Sequence, residues 1–210
     1  MRIINRLQKK KGRMLDIACS TGMLLDIGRK EGWKVEGIEL SQWAVDLARK
    51  RGHKVQTKKL EDMHFKENSF DLITMFGIIE HVPDPLAFLG EVKRIIAPDG
   101  LVVITIPIGN AFKEKVMKKD YYCLQHLTYY TPQTFRMALL KAGFDIIREG
   151  PYIRYMKMKD MIKWFQKSRY YPLLKFWFGN DLFGNIPWQY LPDEHVFFVR
   201  KCAQKKPGNK

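Results

Sequence analysis

From about residue 12 to residue 106 the chain alternates short apolar runs with segments of helical period, and this alternation is what most limits the folds open to it. Arg13-Met-Leu-Asp-Ile-Ala18 reads as a buried strand, with residues 23–30 as the helix after it. Lys34-Val-Glu-Gly-Ile-Glu39 is a second strand, and Ser41 caps a helix whose Ala44, Leu47, Ala48 and Arg51 share a face. Residues 53–57 read as a short third strand and 70–76 as a fourth. Asp84 then caps a helix with Pro85 at its first position, and Phe88, Leu89, Val92, Ile95 and Ile96 form its apolar stripe. Pro98-Asp99-Gly100 turns the chain into 101–106, the most β-prone run. A helix opening at Thr131-Pro132 buries Phe135, Ala138, Leu139 and Ala142 and stops at Gly143. Residues 144–149 and 195–200 are the remaining strands. Such alternation implies an α/β fold, a mainly parallel sheet covered on both faces.

A chain of 210 residues has room for one domain with a sizeable core and too little for two enzymatic domains. Arg2, Arg6, Lys9, Lys10 and Lys11 interrupt any apolar run at the start, and no stretch approaches the roughly 20 apolar residues of a membrane span. A cytoplasmic protein is the expectation, with a polar, disordered tail over 204–210. Cys19, Cys123 and Cys202 are scattered and odd in number, which fits neither a disulfide framework nor a zinc site. The unusual bulk property is charge: 37 Lys plus Arg against 22 Asp plus Glu, a formal +15. That field favours polyanionic partners, whether nucleic acid, anionic headgroups or acidic substrates.

In doubly wound sheets ligands bind at the carboxyl ends of the strands, so the residues there carry the functional reading. The first strand ends in Leu15-Asp-Ile-Ala-Cys-Ser-Thr-Gly22, a tight turn with small residues at 18, 20 and 22 that lets backbone approach a ligand. Ala18 adds a methyl to that turn, which is tolerated if its φ is negative. The second strand ends in Glu39, where a carboxylate can accept both hydroxyls of a ribose. Leu60-Glu61-Asp62-Met63 after the third strand puts an acid where an adenine amino group could be held.

Leu15 to Gly22 resembles the glycine-rich first motif of class I S-adenosylmethionine (SAM)-dependent methyltransferases, with Ala18 and Ser20 standing where glycines are usual. Gly37-Ile-Glu39-Leu-Ser41 is similar to that family's ribose motif, and Glu61-Asp62 to its adenine-side acid. Phe70-Asp71-Leu-Ile, Ile79-Glu80-His81-Val-Pro-Asp84-Pro85, Leu101 to Ile106 and His126-Leu-Thr-Tyr-Tyr-Thr131-Pro132 resemble the small-molecule branch, which includes ubiquinone-type O-methyltransferases. The resemblance spans roughly residues 12–150, and its force lies in motifs in order at the right spacing. It implies a Rossmann-like, doubly wound, seven-stranded sheet with the last strand antiparallel and a helical insert before that strand. It implies SAM as cofactor, S-adenosylhomocysteine as product, and cofactor-side places for Asp16, Ala18, Cys19, Ser20, Gly22, Glu39, Leu40, Glu61, Asp62, Met63 and Phe76. Ubiquinone-type members often carry, three positions before the Glu-His pair, a Glu associated with a divalent metal. Gly77 stands there, so no metal is expected. Twelve residues precede the first strand, where relatives have one or two helices covering the cofactor. Either the start is late or another element does the covering.

His81 and His126 are the candidate catalytic residues, since an imidazole of ordinary pKa ~6.5 suits proton removal from a hydroxyl. Each also has a structural reading: the Glu80-His81 pair fixing its loop, and His126 anchoring the segment before Thr131. His195 opens the last strand and reads as a surface residue.

The insert over 151–193 is the most individual part. Met158, Met161, Ile162 and Phe165 fall on one helical face and Lys159, Lys163 and Lys167 on another, followed by the aromatic run Tyr170 to Phe178. It suits a lid over the active site, or peripheral contact with an anionic inner membrane surface. The function expected is methyl transfer to a small-molecule acceptor, a hydroxyl first with nitrogen and carbon acceptors left open, and an amphiphilic or lipid-like acceptor is compatible with the insert. A nucleic-acid methyltransferase, which the charge would suit, and a non-catalytic SAM-fold binding protein are the alternatives.

Overall fold

The computed structural model describes residues 1–108, 126–152, 154–157, 171–179, 187–190 and 194–202. The chain divides into two compact units, Met1–Gly150 with His195–Lys210, and Pro151–Glu194. In the first, α1 (Arg2–Leu7), β1 (Arg13–Ile17), α2 (Met23–Lys30), β2 (Lys34–Ile38), α3 (Gln42–Lys50) and β3 (Val55–Gln56) lead to β4 (Phe70–Phe76). Then come α4 (Pro85–Ile95), β5 (Ile96–Pro107), α5 (Pro132–Lys141), β6 (Phe144–Pro151) and, after the second unit, β9 (Glu194–Lys201). The sheet order is β3-β2-β1-β4-β5-β9-β6. β1 pairs in parallel with β2 (Leu15 beside Glu36) and with β4 (Asp16 beside Thr74), and β4 with β5. The carboxyl-terminal strand is antiparallel, and the whole is the expected Rossmann-like α/β architecture.

Local signals set most of the element ends. Ser41 Oγ accepts from Ala44 N, Asp84 Oδ1 from Ala87 N at 3.0 Å, and Thr131 Oγ1 from Thr134 N at 3.1 Å, each supplying a first-turn N–H with a partner. Gly143, at φ +82°, ends α5. Successive strand residues face opposite sides, and each side has its own core. Leu15, Ile17, Ile73, Met75, Val102 and Ile104 pack with Phe88, Leu89, Val92 and Ile95 of α4 and with Phe135 and Leu139 of α5. Against the other face lies α2, where a Cβ on Gly28 would come within 2.7 Å of Met14 Sδ, so glycine permits the close approach.

Several expectations need correction. The third strand is only Val55–Gln56, because His53 is drawn off to the Asp26 carboxylate of α2 at 2.7 Å. The buried residues of α3 are Ala44, Val45 and Ala48, so Val45 joins the face read from the sequence on its core side and Arg51 lies at that face's exposed end. Arg51 is exposed and donates Nε–H to Asp26 at 2.9 Å. Ile96 opens β5 rather than closing α4, and the Pro98-Asp99-Gly100 turn is absorbed in that strand as a register shift between the Phe70–Ile96 and Leu72–Leu101 pairs. The unforeseen α1 buries Ile4 and is tied down by Arg200 Nη2, which donates to Leu7 O at 2.6 Å. His195 is half-buried, its ring 4.9 Å from that of Phe197, and not the surface residue expected.

The second unit contains β7 (Arg154–Lys157), α6 (Tyr171–Phe178) and β8 (Pro187–Tyr190). β7 and β8 pair antiparallel, with Arg154 opposite Tyr190 and Lys157 opposite Pro187, so the insert holds a two-stranded sheet as well as helix. The expected helix through Met158, Met161, Ile162 and Phe165, the tail 204–210 and Cys123 lie outside the described residues.

Candidate functional site

After β1 the chain turns through three left-handed residues, Ala18 (φ +59°), Ser20 (φ +48°) and Gly22 (φ +81°). Only the last is glycine. The condition for an easily tolerated methyl at Ala18, a negative φ, is not met: the turn demands the left-handed region, and a Cβ there costs on the order of 1 kcal/mol. Gly22 answers two constraints, since a Cβ would also meet His53 Cδ2 at 2.9 Å and Ala48 Cβ at 3.2 Å. Cys19 N donates to Ile38 O at 3.1 Å, stitching the turn to β2. Its thiol is buried with Leu25, Val45, Ala48 and Val55, and a Cβ on Gly37 would sit 2.6 Å from the sulfur. Burial, reinforced by the Asp16 and Glu39 charges, pushes that thiol up to about 12, so Cys19 is a packing residue and not a nucleophile.

Asp16 is buried, and its Oδ1 accepts from Thr74 Oγ1 at 2.6 Å. Burial raises this carboxyl to about 7; the Thr74 hydroxyl opposes the shift and Glu39 adds to it. Glu39 is half-buried at the end of β2. Its Oε2 accepts from Ser20 N at 2.9 Å, and its Oε1 from Leu40 N at 2.8 Å and Ser41 N at 2.9 Å. Three of roughly four acceptor positions of the carboxylate are thus held by backbone. The expectation that it accepts both ribose hydroxyls meets a carboxylate with room for about one.

A cavity of about 540 Å³ opens at these strand ends. Among the residues singled out from sequence, Ala18, Glu39, Leu40, Glu61 and His81 line it. Asp16, Cys19, Ser20, Gly22, Asp62, Met63, Phe76 and His126 are not among its lining residues. Asp62 is exposed in the 3-10 turn Glu61–Met63, and Met63 packs on the main core. Phe76 is half-buried at the end of β4. Lys58, Lys59, Leu60, Ile78, Val82 and Phe88 also line the cavity and were missed as site residues. For Lys58, Lys59, Leu60 and Ile78 the signal was position, just after the third and fourth strands, whereas Val82 and Phe88 come from the turn and helix beyond β4. Phe88 had been assigned to the core alone, and it does both. A larger cleft of about 800 Å³, with Lys93, Arg200 and Lys201 on its walls, lies near the amino ends of β4 and β5, away from the strand ends where α/β sheets bind ligands.

The 3-10 turn Ile79–His81 follows β4, entered through Gly77 at φ +63°. Glu80 is buried, and its carbonyl accepts from Leu127 N at 2.8 Å and Thr128 N at 3.2 Å, which brings the segment from 126 to this turn. The His81 and His126 rings stand 4.9 Å apart, edge to face, with Tyr129 5.6 Å beyond His126. Burial, then His81, holds His126 below the ordinary imidazole pKa. Glu80, His81 and His126 each offer a ligand atom, all within 4.8 Å of one another, an arrangement a divalent cation could use. The expectation of no metal rested on Gly77. It did not anticipate that His126 would stand beside the Glu-His pair.

The family described as "Methyltransferase domain" matches residues 1–149. The chain belongs to that methyltransferase family. Over 101 residues it is 32% identical to a ubiquinone biosynthesis O-methyltransferase of Actinobacillus pleuropneumoniae, covering 43% of each chain. It spans about half the length of the curated relatives it matches. Among solved structures it is similar to a SAM-dependent methyltransferase from Archaeoglobus fulgidus (TM-score 0.63, 16% identity, 95% of this chain and 90% of that one). It is also similar to phosphoethanolamine N-methyltransferase 2 of Haemonchus contortus with S-adenosylhomocysteine (TM-score 0.61, 20% identity, 96% and 52%). At these identities the structural likeness speaks for the fold. The methyltransferase-domain cavity fits the family's cofactor: its volume suits a nucleoside-sized ligand, and it offers a carboxylate at Glu39 beside apolar Ile38 and Leu60.

Proposed function

We propose that this chain is a SAM-dependent methyltransferase acting on a hydroxyl of a small, amphiphilic acceptor. The observation that carries the reading is the single cavity joining Ala18, Glu39, Leu40 and Glu61 to His81 at the carboxyl end of the sheet. When bound, the cofactor supplies an activated methyl group. The residues of the chain supply the rest. Glu39 accepts a ribose hydroxyl, and Ile38 and Leu60 flank the base, with Glu61 at its rim. Val82 and Phe88 give the cavity apolar walls that exclude water from the acceptor oxygen. An imidazole nitrogen of His81 takes the hydroxyl proton. His126 stands beside it, and burial disfavours its charged form, which limits like charge next to the imidazolium that results. The hydroxyl preference rests on similarity to ubiquinone-type enzymes.

The test is calorimetric titration with S-adenosylhomocysteine. The wild type is expected to bind, and Glu39→Ala to bind about 10- to 100-fold more weakly, the loss of a hydrogen bond to a charged acceptor together with the turn it organises. A folded wild type that does not bind would remove the enzymatic reading and leave the non-catalytic one. Salt-sensitive RNA binding together with methylation of RNA would move the acceptor to nucleic acid, which the +15 charge would suit.

A further inference from the structure

Helix α6 (Tyr171–Phe178) carries Leu173, Phe176 and Trp177 at i, i+3 and i+4, the spacing that puts three side chains on one face. All three are largely exposed, at 60%, 73% and 52%. The Phe176 and Trp177 rings meet edge to face at 5.8 Å, so the face carries a continuous aromatic ridge. Single exposed apolar residues are ordinary, but a contiguous stripe marks a surface that meets something apolar. The charge of the same region indicates what. Between Arg154 and Lys175 the sequence holds seven Lys or Arg against one Asp, and Lys175 is exposed on α6 itself, away from the apolar stripe by the helical period. A second copy would bring like charge to like. An anionic bilayer offers negative headgroups to the lysines and an apolar layer to Leu173, Phe176 and Trp177 together. No helix of the described residues is long and apolar enough to cross a membrane, so the contact is one of lying on the surface.

We propose that the Leu173, Phe176 and Trp177 face of α6 is a docking surface for anionic lipid bilayers. It shares no residue with the proposed methyl-transfer cavity, so failure of one reading is separable from failure of the other.

The full chain is sedimented with vesicles of equal parts phosphatidylglycerol and phosphatidylcholine, and with phosphatidylcholine alone. The expected result is partition into the anionic vesicles at least ten-fold above the neutral ones, weakened by raised salt. Phe176→Ser with Trp177→Ser lowers that partition about ten-fold or more, while melting temperature, solution mass and S-adenosylhomocysteine binding hold. Vesicles with brominated acyl chains quench the wild type more than Trp177→Phe, a variant that keeps the apolar bulk. Absent or charge-independent binding by the folded wild type would overturn the proposal, as would equal quenching of wild type and Trp177→Phe. So would a double variant whose melting temperature or mass changes, since the face would then be packed on its own chain or on a second copy.

Discussion

Glu39 is already held by the backbone N–H groups of Ser20, Leu40 and Ser41, so the protein itself orders the carboxylate that a ribose would meet. The neighbouring turn is less well matched to its own residues. Ala18 occupies the left-handed region that glycine visits freely. Ala18→Gly is expected to raise unfolding stability in urea by about 0.5–1 kcal/mol, the relief of strain exceeding the added freedom of the unfolded chain. Asp16 gives a pH-dependent counterpart. Its carboxyl moves from 3.8 to about 7 on burial. Between those values the folded protein holds a proton that the unfolded chain has released. The associated stability is full below pH 3.8 and is lost as pH rises through 7. Asp16→Asn removes that slope. Relative to wild type it is expected to gain on the order of 2 kcal/mol in denaturant unfolding at pH 8 compared with pH 5. An ordinary carboxylate at position 16 would show no such difference.

At the scale of elements, α4 shows why periodic patterns are readable and where they stop. Phe88, Leu89, Val92 and Ile95 recur at helical spacing, and all four are buried against the sheet. Leu89→Ala is expected to cost about 2–5 kcal/mol by thermal or urea unfolding, because a fully buried leucine leaves a cavity. The caps at Ser41, Asp84 and Thr131 were legible for the same local reason: each acts on an N–H within three residues. Ile96 was not, since it continues the apolar period yet pairs with Phe70 in the sheet. Nor was the length of β3, which depends on His53 reaching Asp26 across the α2 side. The pairing of β7 with β8 joins segments too far apart for any local pattern to register.

At the scale of the molecule, the order β3-β2-β1-β4-β5 places the carboxyl ends of β1, β2 and β4 side by side. The turn after β1, the acid ending β2 and the histidine turn after β4 therefore meet at one cavity, which is why a reading of strand ends found five of its lining residues. The +15 charge acts at this scale too, favouring anionic partners without selecting among them. At α6 an exposed aromatic face lies within a basic stretch of the chain, so apolar and cationic groups occur together there.

The sequence by itself determined the alternation of strands and helices, their caps, and the residues that end each strand, because these follow from side-chain period and from hydrogen bonds within a turn or two. Only the tertiary structure decided how those residues are used. It turned the Cys19 thiol into the core beside Gly37, set Thr74 against Asp16, and filled most of Glu39 with backbone donors. It also brought His126 to His81 through the Glu80 carbonyl. Each of these contacts depends on strand register or on a loop closing over the sheet, and both are fixed by packing between segments distant in the chain.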